Sequence, residues 1–209
     1  MKTVLIYGDS NTHGTGPATD AQESWRHDVA DRWVAVVAQG LGSDVRVIDE
    51  GLPGRTTCLD DPIKGEHYNG LRVLPAILAS HAPIDLLVVM LGTNDIQAKY
   101  GFRTYEVCQA LEQYITRAEQ SGVVGDVLIV SPVNAMETGT YGESYAGVDA
   151  RQAGMADALS AMAQRRGVGF FDAALVARAS PIDGVHLDAK TSRDLGRAMI
   201  APIKMRLNQ

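Results

Sequence analysis

Short apolar runs alternate with segments of helical periodicity along the whole chain, and this pattern predicts the secondary structure. The apolar runs predict five β-strands, at residues 3–7, 45–48, 85–91, 127–130 and 168–171. Apolar residues that recur every three or four positions predict helices at residues 31–41, 71–80, 104–121, 149–166 and 189–207. Gly42 is expected to end the first of these helices, and Thr104 to cap the third.

The order of these elements predicts the fold class. The strand at residues 85–91 is apolar at every position after Asp85, which is typical of a strand covered by helices on both faces. A strand followed by a helix, five times over, predicts an α/β fold with a mostly parallel sheet wrapped by helices. No repeat or linker divides the sequence, so we expect a single domain over residues 1–209. Long loops at residues 15–30, 52–70 and 131–148 are expected to shape a pocket.

Composition and charge narrow the classes of function. The chain has 209 residues, of which 45% are hydrophobic, enough for a sizeable core. Its net charge of −6 argues against a nucleic-acid partner, which usually meets a basic surface. No apolar run approaches the roughly 18 residues of a membrane span, and the first run is too short for the core of a signal peptide. The two cysteines, Cys58 and Cys108, fit a reducing compartment, so we expect a cytoplasmic protein without a membrane partner.

The histidines outside the last quarter of the chain give no sign of a metal site. His13, His27, His67 and His81 are scattered, without the i, i+4 spacing of a metal-binding pair. We therefore assign them no metal. Of the four, His13 is expected to line the pocket.

Polar residues that could carry chemistry follow the ends of the predicted strands. The stretch 8–14, Gly-Asp-Ser-Asn-Thr-His-Gly, follows the first strand and places Ser10 in a turn with glycine on both sides. Gly51 follows the second strand, Asn94 the third, and Asp183 and His186 the fifth. Because the carboxyl ends of parallel strands meet at one edge of a sheet, we expect all of them on one rim.

These residue types suit acyl transfer. A serine hydroxyl becomes nucleophilic when a neutral imidazole takes its proton, which predicts Ser10 as the nucleophile and His186 as its base. Asp183, three residues before His186, could hold the other imidazole nitrogen. The backbone N–H groups of Ser10 and Gly51 and the side-chain amide of Asn94 could stabilise the negative oxygen of a tetrahedral intermediate.

Four blocks in this order resemble the SGNH hydrolases, also called GDSL esterases and lipases. The blocks are Gly8-Asp9-Ser10, Gly51, Gly92-Thr93-Asn94-Asp95 and Asp183-Gly184-Val185-His186. The resemblance implies a flavodoxin-like three-layer α/β/α fold around a five-stranded sheet, and ester hydrolysis without a cofactor. It also implies that Ser10, Asp183 and His186 form a catalytic triad and that Ser10, Gly51 and Asn94 form the oxyanion hole.

A narrower resemblance points to the bacterial arylesterase and acyltransferase branch. It rests on stretches that include Glu50-Gly51-Leu52, Arg55-Thr56-Thr57 and Met90-Leu91-Gly92. Members of this branch act on short acyl esters, some transfer acyl groups to alcohols, and several are oligomers. The sequence departs from the pattern at two positions beside the nucleophile: Asn11 stands in place of leucine and His13 in place of tryptophan. Acyl preference and acyl transfer therefore stay open, as does the number of subunits.

Other functions remain compatible with the sequence. Within the same family, a carbohydrate acetylesterase, a thioesterase or a lysophospholipase would use the same residues. A flavodoxin-like flavin-binding protein would have the same fold, but it offers no reason for Asp183 and His186 and needs aromatic groups that the loop after the third strand lacks until Tyr100. A receiver domain needs an acidic pair after the first strand, where only Asp9 is available.

Overall fold

The computed structural model describes residues 1–208 and contains one five-stranded sheet in which every strand pair is parallel. The strands run in the order β2-β1-β3-β4-β5 across the sheet. Their bounds are Lys2–Gly8 for β1, Val45–Gly51 for β2, Ile84–Met90 for β3, Val124–Ser131 for β4 and Gly169–Asp172 for β5. All five predicted strands are therefore confirmed, each within a few residues of its predicted position.

Within residues 1–208, seven α-helices connect and cover these strands. Their bounds are Ser10–His13 for α1, Trp33–Leu41 for α2, Gly70–His81 for α3, Thr104–Ser121 for α4, Val148–Gln152 for α5, Met155–Arg166 for α6 and Ala189–Leu207 for α7. Among residues 1–208, no helix is long and apolar enough to cross a membrane.

The sheet divides the core into two apolar layers because successive side chains of a strand point to opposite faces. On one face, Leu5 and Tyr7 of β1 pack in a cluster with residues of α3, α4 and α6. On the other face, Val4 and Ile6 pack in a cluster with residues of α2 and α7. The result is the three-layer α/β/α arrangement that the resemblance implied.

Two predicted helices differ from those in the structure. The helix predicted from about residue 31 begins at Trp33, because Arg32 is extended and a separate 3₁₀ turn covers Val29–Asp31. The helix predicted at 149–166 is two helices, α5 and α6. The chain breaks between them at Gly154, whose φ of +69° is left-handed and favours glycine.

The predicted cap of α4 is also wrong. Arg103, and not Thr104, occupies the cap position, and the Glu106 carboxylate accepts its backbone N–H at 2.9 Å. The hydroxyl of Thr104 instead donates to the carbonyl of Ala153 at 2.9 Å, in the break between α5 and α6. This residue therefore connects α4 to that break, which explains why a residue with good capping chemistry stands one position inside the helix.

The strand order reverses between β1 and β3. From β1 the chain moves to β2 on one side, and from β3 it moves through β4 to β5 on the other. Gly8 pairs with Gly51 of β2 and with Met90 of β3, so the end of β1 lies at the centre of the rim formed by the strand ends. Ligands of open α/β sheets bind at such a reversal.

Candidate active site

A cavity of about 460 Å³ lies at this rim, and Ser10, Asn94 and His186 line it. Each of the three loops expected to shape a pocket contributes to its walls, which confirms that expectation. The loop residues are Thr15, Ala21, Glu23 and Ser24 from the first, Pro53, Gly54, Lys64 and Tyr68 from the second, and Tyr141, Ser144 and Tyr145 from the third.

The turn after β1 presents Ser10 to this cavity. Ser10 is the first residue of the one-turn helix α1, and the carboxylate of Asp9 caps that helix by accepting the N–H of Asn11 at 3.0 Å. Gly8 has to be glycine, because a Cβ there would lie 2.0 Å from the hydroxyl oxygen of Thr12. Gly14 ends α1 with a left-handed φ of +84°. The local sequence therefore dictates the tight turn that carries the serine.

The structure brings the three predicted triad side chains together. The hydroxyl oxygen of Ser10 lies 3.0 Å from Nε2 of His186, and Nδ1 of His186 lies 2.7 Å from Oδ2 of Asp183. Because an ionised carboxylate only accepts hydrogen bonds, Nδ1 carries the proton and Nε2 accepts from the serine hydroxyl. All three residues are buried, with 6%, 7% and 0% of Ser10, His186 and Asp183 exposed.

Asp183 is held in its ionised form by the donors around it. Burial alone would raise the pKa of Asp183, but the side chain of His186 and the backbone N–H groups of His186 and Val185 lower it below its usual value. Oδ1 accepts those two backbone N–H groups at 2.9 Å each. Oδ2 accepts the N–H of Ala18 at 3.1 Å as well as the imidazole. Asp183 can therefore orient His186 and stabilise a positive imidazole.

Two of the three predicted oxyanion donors border the cavity in a suitable state. The side-chain amide of Asn94 donates one of its two N–H groups to the carbonyl of Arg55 at 2.9 Å, and its oxygen accepts from Nε2 of Gln97 at 3.0 Å. These contacts fix the amide and leave its second N–H for a ligand. The backbone N–H of Ser10 donates to no acceptor among residues 1–208.

The prediction for Gly51 is not supported by its contacts. Its N–H donates to Oδ1 of Asp49 at 3.0 Å, and its Cα lies so close to α1 that a Cβ would be 2.2 Å from the nitrogen of His13. Gly51 thus packs the end of β2 against α1. Gly54, three residues on, lines the cavity and has a φ of +84°, and its N–H donates to no acceptor among residues 1–208. The sequence feature that could have pointed to Gly54 is the Pro53-Gly54 pair, because this pair is typical of a turn.

The other predicted pocket residue, His13, does not line the cavity. Its Nδ1 lies 3.2 Å from the hydroxyl oxygen of Thr15, and its backbone carbonyl accepts from Nε of Arg26. Burial and then the positive charges of Arg26 and Arg32 lower the pKa of His13 below its usual value. The aromatic ring beside the imidazole of His186 belongs instead to Tyr141, edge to face with ring centres 5.8 Å apart.

Two buried carboxyls support the site from behind. Burial, the largest effect on each, raises the pKa of Asp9 and of Asp95 to about 6. Asp95 accepts the backbone N–H and the hydroxyl of Thr57, which ties the loop at residues 52–70 to the end of β3. Folding favours the protonated form of these groups, so their contribution to stability is full below the unfolded pKa near 4 and is lost as pH rises through about 6.

Within residues 1–208, no three or more His, Cys, Asp or Glu side chains are grouped so that they could hold a metal ion. The chemistry described above uses only a hydroxyl, an imidazole, a carboxylate and N–H donors. This donor set is that of acyl transfer.

Comparisons with known proteins agree with this geometry. A family model described as the GDSL-like lipase/acylhydrolase family matches residues 6–193. The inhibitor-bound aryl esterase of M. smegmatis superposes with a TM-score of 0.92 at 34% identity, over 98% of this chain and 99% of that one. A carbohydrate acetylesterase family member from Sinorhizobium meliloti gives 0.91 at 40% identity over 100% of both chains. A second carbohydrate acetylesterase from that organism gives 0.91 at 33% identity, over 98% and 99% of the two chains. The search of curated protein sequences gives no match.

Proposed function

Because the chain belongs to the GDSL-like lipase/acylhydrolase family and is a carboxylic ester hydrolase, we propose that it cleaves short-chain acyl esters through an acyl-serine intermediate. The observation that carries the proposal is the continuous hydrogen-bonded chain from the hydroxyl of Ser10 through His186 to Asp183, with distances of 3.0 and 2.7 Å. Neither a flavin-binding protein nor a receiver domain requires this hydrogen-bonded series of three side chains.

In the first half-reaction, the Ser10 hydroxyl oxygen attacks the carbonyl carbon of the ester while its proton moves to Nε2 of His186. The carboxylate of Asp183 stabilises the positive imidazole that results. The bond between the carbonyl carbon and the alcohol oxygen then breaks, and Nε2 returns the proton to that oxygen. The alcohol leaves, and the acyl group stays on Ser10.

The tetrahedral intermediate carries a negative oxygen that needs donors. We assign the backbone N–H of Ser10, the free amide N–H of Asn94 and the backbone N–H of Gly54 to this role. Gly54 replaces Gly51 in the assignment because the N–H of Gly51 is engaged by Asp49. Donors fixed in advance are effective because they need no reorganisation when the charge develops.

In the second half-reaction, water gives a proton to Nε2 of His186 and attacks the acyl carbon. The acid leaves as Ser10 regains the proton. An alcohol in the place of water would form a new ester, so acyl transfer to alcohols is part of the proposal. A competing alcohol such as benzyl alcohol tests it: the benzyl ester should accumulate at the expense of free acid.

A carbohydrate acetyl ester is a second candidate substrate, and the character of the cavity favours it. Beside the triad the walls carry charged and amide groups that can bind hydroxyls, namely Glu23, Lys64, Gln97 and Lys99. Solved structures described as carbohydrate acetylesterases superpose over nearly the whole chain. Acetate release from a fully acetylated sugar, compared with p-nitrophenyl acetate, separates this candidate from a preference for aryl esters.

The nucleophile is tested with Ser10→Ala. This change should abolish turnover of p-nitrophenyl acetate and prevent labelling by an organophosphonate, which in the parent enzyme should add one phosphonyl group to the peptide that contains Ser10. Ser80→Ala is the matched control, since the Ser80 hydroxyl only bonds the carbonyl of Ile77 on α3. Turnover by Ser10→Ala at the parent rate would refute the proposal.

The acyl preference is tested with p-nitrophenyl esters of rising chain length. Activity should be highest for the shortest acyl groups. A maximum for long acyl chains would favour the lysophospholipase alternative, and faster cleavage of an acyl thioester than of the matching ester would favour the thioesterase. The cytoplasmic location stays a prediction, which cell fractionation would test, and light scattering would determine the number of subunits, which the sequence leaves open.

A further inference from the structure

Asn11, the residue after the nucleophile, makes side-chain contacts on both sides of the base. Its Nδ2 donates to the carbonyl of Val185 at 3.2 Å, and its Oδ1 accepts the N–H of Leu187 at 3.1 Å. These two residues flank His186 in the chain. One amide therefore pairs with both peptide groups that border the catalytic imidazole, in the way that two backbone segments pair.

The backbone of Asn11 is fixed as firmly as its side chain. Its N–H donates to the Asp9 carboxylate at 3.0 Å, and its carbonyl accepts Nε1 of Trp33, on α2, at 3.1 Å. The residue is 3% exposed and does not line the cavity. It is thus a rigid connection, with a hydrogen bond at each of its four polar atoms, that substrate does not reach.

The segment around His186 depends on such contacts because it belongs to no helix or strand. Asp183 fixes the imidazole ring and two N–H groups of its own loop, so it orients His186 within that loop. Asn11 does something different, because it connects this loop to the turn that carries Ser10. Ser10 and His186 are separated by 176 residues in the sequence. The side chain of Asn11 links the same two segments, one residue after the nucleophile.

We propose that Asn11 is a positioning residue that sets the distance between Ser10 and His186, an inference that rests on the proposed function. Leucine, which the family pattern has at this position, has nearly the same size but no polar atoms. In this chain it would leave the buried carbonyl of Val185 and the N–H of Leu187 without these partners. The departure from the family pattern therefore marks a different way of coupling nucleophile and base.

The first test is Asn11→Ala, with Gln152→Ala as a matched control. Gln152 makes the same kind of paired contact, since its amide accepts the N–H of Ala135 at 3.0 Å and donates to its carbonyl at 2.9 Å, but it touches neither His186 nor its neighbours. Asn11→Ala should lower kcat for p-nitrophenyl acetate about 10- to 100-fold, the effect of displacing a reacting group by a fraction of an ångström to an ångström. KM should stay within about threefold, because Asn11 does not line the cavity. Gln152→Ala should lose stability but keep kcat within about threefold.

The second test is Asn11→Asp, which distinguishes positioning from general packing. A protonated aspartate can donate to Val185 and accept from Leu187 as asparagine does, whereas an ionised one repels the Val185 carbonyl. The ratio of variant to parent kcat should therefore rise as pH falls. If Asn11→Ala does not fold, this profile decides alone.

The inference is overturned if Asn11→Ala keeps kcat within about threefold of the parent, if Gln152→Ala loses as much kcat, or if the Asn11→Asp ratio does not change with pH. These outcomes differ from a failure of the proposed function. If the proposed function is wrong, the parent protein itself will neither turn over p-nitrophenyl acetate nor be labelled at Ser10, and this result overturns both the proposed function and the role of Asn11.

Discussion

Replacing Asp183 by asparagine tests how the structure fixes the proton on His186. In the parent, Oδ2 accepts the Nδ1 proton, so that Nε2 faces Ser10 as an acceptor. In Asp183→Asn, an NH₂ group at the Oδ2 position would donate to Nδ1. The proton would then sit on Nε2, where it blocks removal of the serine proton.

The contacts of Asp183 decide which way the new amide points. With NH₂ at the Oδ2 position, one backbone donor, the N–H of Ala18, loses its acceptor. With the amide flipped, which would restore the proton to Nδ1, two donors lose theirs, the N–H groups of Val185 and His186. The flip therefore costs about 1–3 kcal/mol more, and the unproductive orientation prevails. Because the proton is then on the wrong nitrogen and the negative charge beside the imidazole is lost, we expect kcat to fall on the order of 10⁴-fold, which corresponds to about 5 kcal/mol in the activation barrier.

The measurement is kcat for p-nitrophenyl acetate, with thermal unfolding recorded alongside. Asp172→Asn is the control, because Asp172 also accepts a backbone N–H at the rim, that of Ala174 at 3.0 Å, without touching the triad. It should keep kcat within about threefold. A loss of less than about tenfold in a folded Asp183→Asn protein would show that Asp183 does not set the protonation of His186 and would refute this reasoning.

Three further predictions concern the donors and the support of the site. Asn94→Ala should lower kcat about 10²- to 10³-fold, as for one oxyanion donor, and a loss below about threefold would remove Asn94 from that role. Gly51→Ala should lower the melting temperature by roughly 5–10 °C, because its Cβ would lie 2.2 Å from the nitrogen of His13; an unchanged value would contradict the packing described. Asp95→Asn keeps an acceptor for Thr57 and removes a buried carboxyl with a pKa of about 6, so urea unfolding should show it more stable than the parent near pH 7, by up to about 3 kcal/mol. That advantage should vanish below about pH 4, and an advantage that grows towards acid pH would contradict the sign.

The strands and the rim could be predicted from the sequence because a few local patterns determine them. Runs of apolar residues such as 86–91 are long enough to indicate a strand buried on both faces. Once the strands are known to be parallel, the residues that follow them have to meet at one edge. The break between α5 and α6 could not be predicted in this way, because Gly154 lies within a helical period and an isolated glycine is tolerated inside helices.

Gly51 and Asn11 show a different limit of the sequence. Several glycines follow the strands, but which N–H points into the cavity depends on the path of the backbone. Asp49, two residues before Gly51, takes that N–H. This spacing is that of an Asx-turn, but many Asp residues have it without making the contact, so the spacing alone does not identify which N–H is engaged. The partners of Asn11 lie 174 and 176 residues away, so its role becomes visible only in three dimensions.

The chemistry and the walls of the cavity come from different parts of the fold. The triad is carried by the turn after β1 and the segment before α7, and outside these two segments its side chains contact the N–H of Ala18 and the ring of Tyr141. The walls come from loops that are fixed at separate points: Asp61, for example, accepts Nζ of Lys99 at 3.0 Å and the hydroxyl of Tyr100 at 2.8 Å, which holds the loop at residues 52–70 against the loop after β3. Wall residues such as Lys64 and Tyr68 can therefore change without moving Ser10 or His186. Gly54 is the exception, because it belongs to this wall loop and is also assigned to the oxyanion. Changes that shift the loop backbone should for this reason affect the rate of the chemical step, whereas changes confined to its side chains should affect the choice of ester.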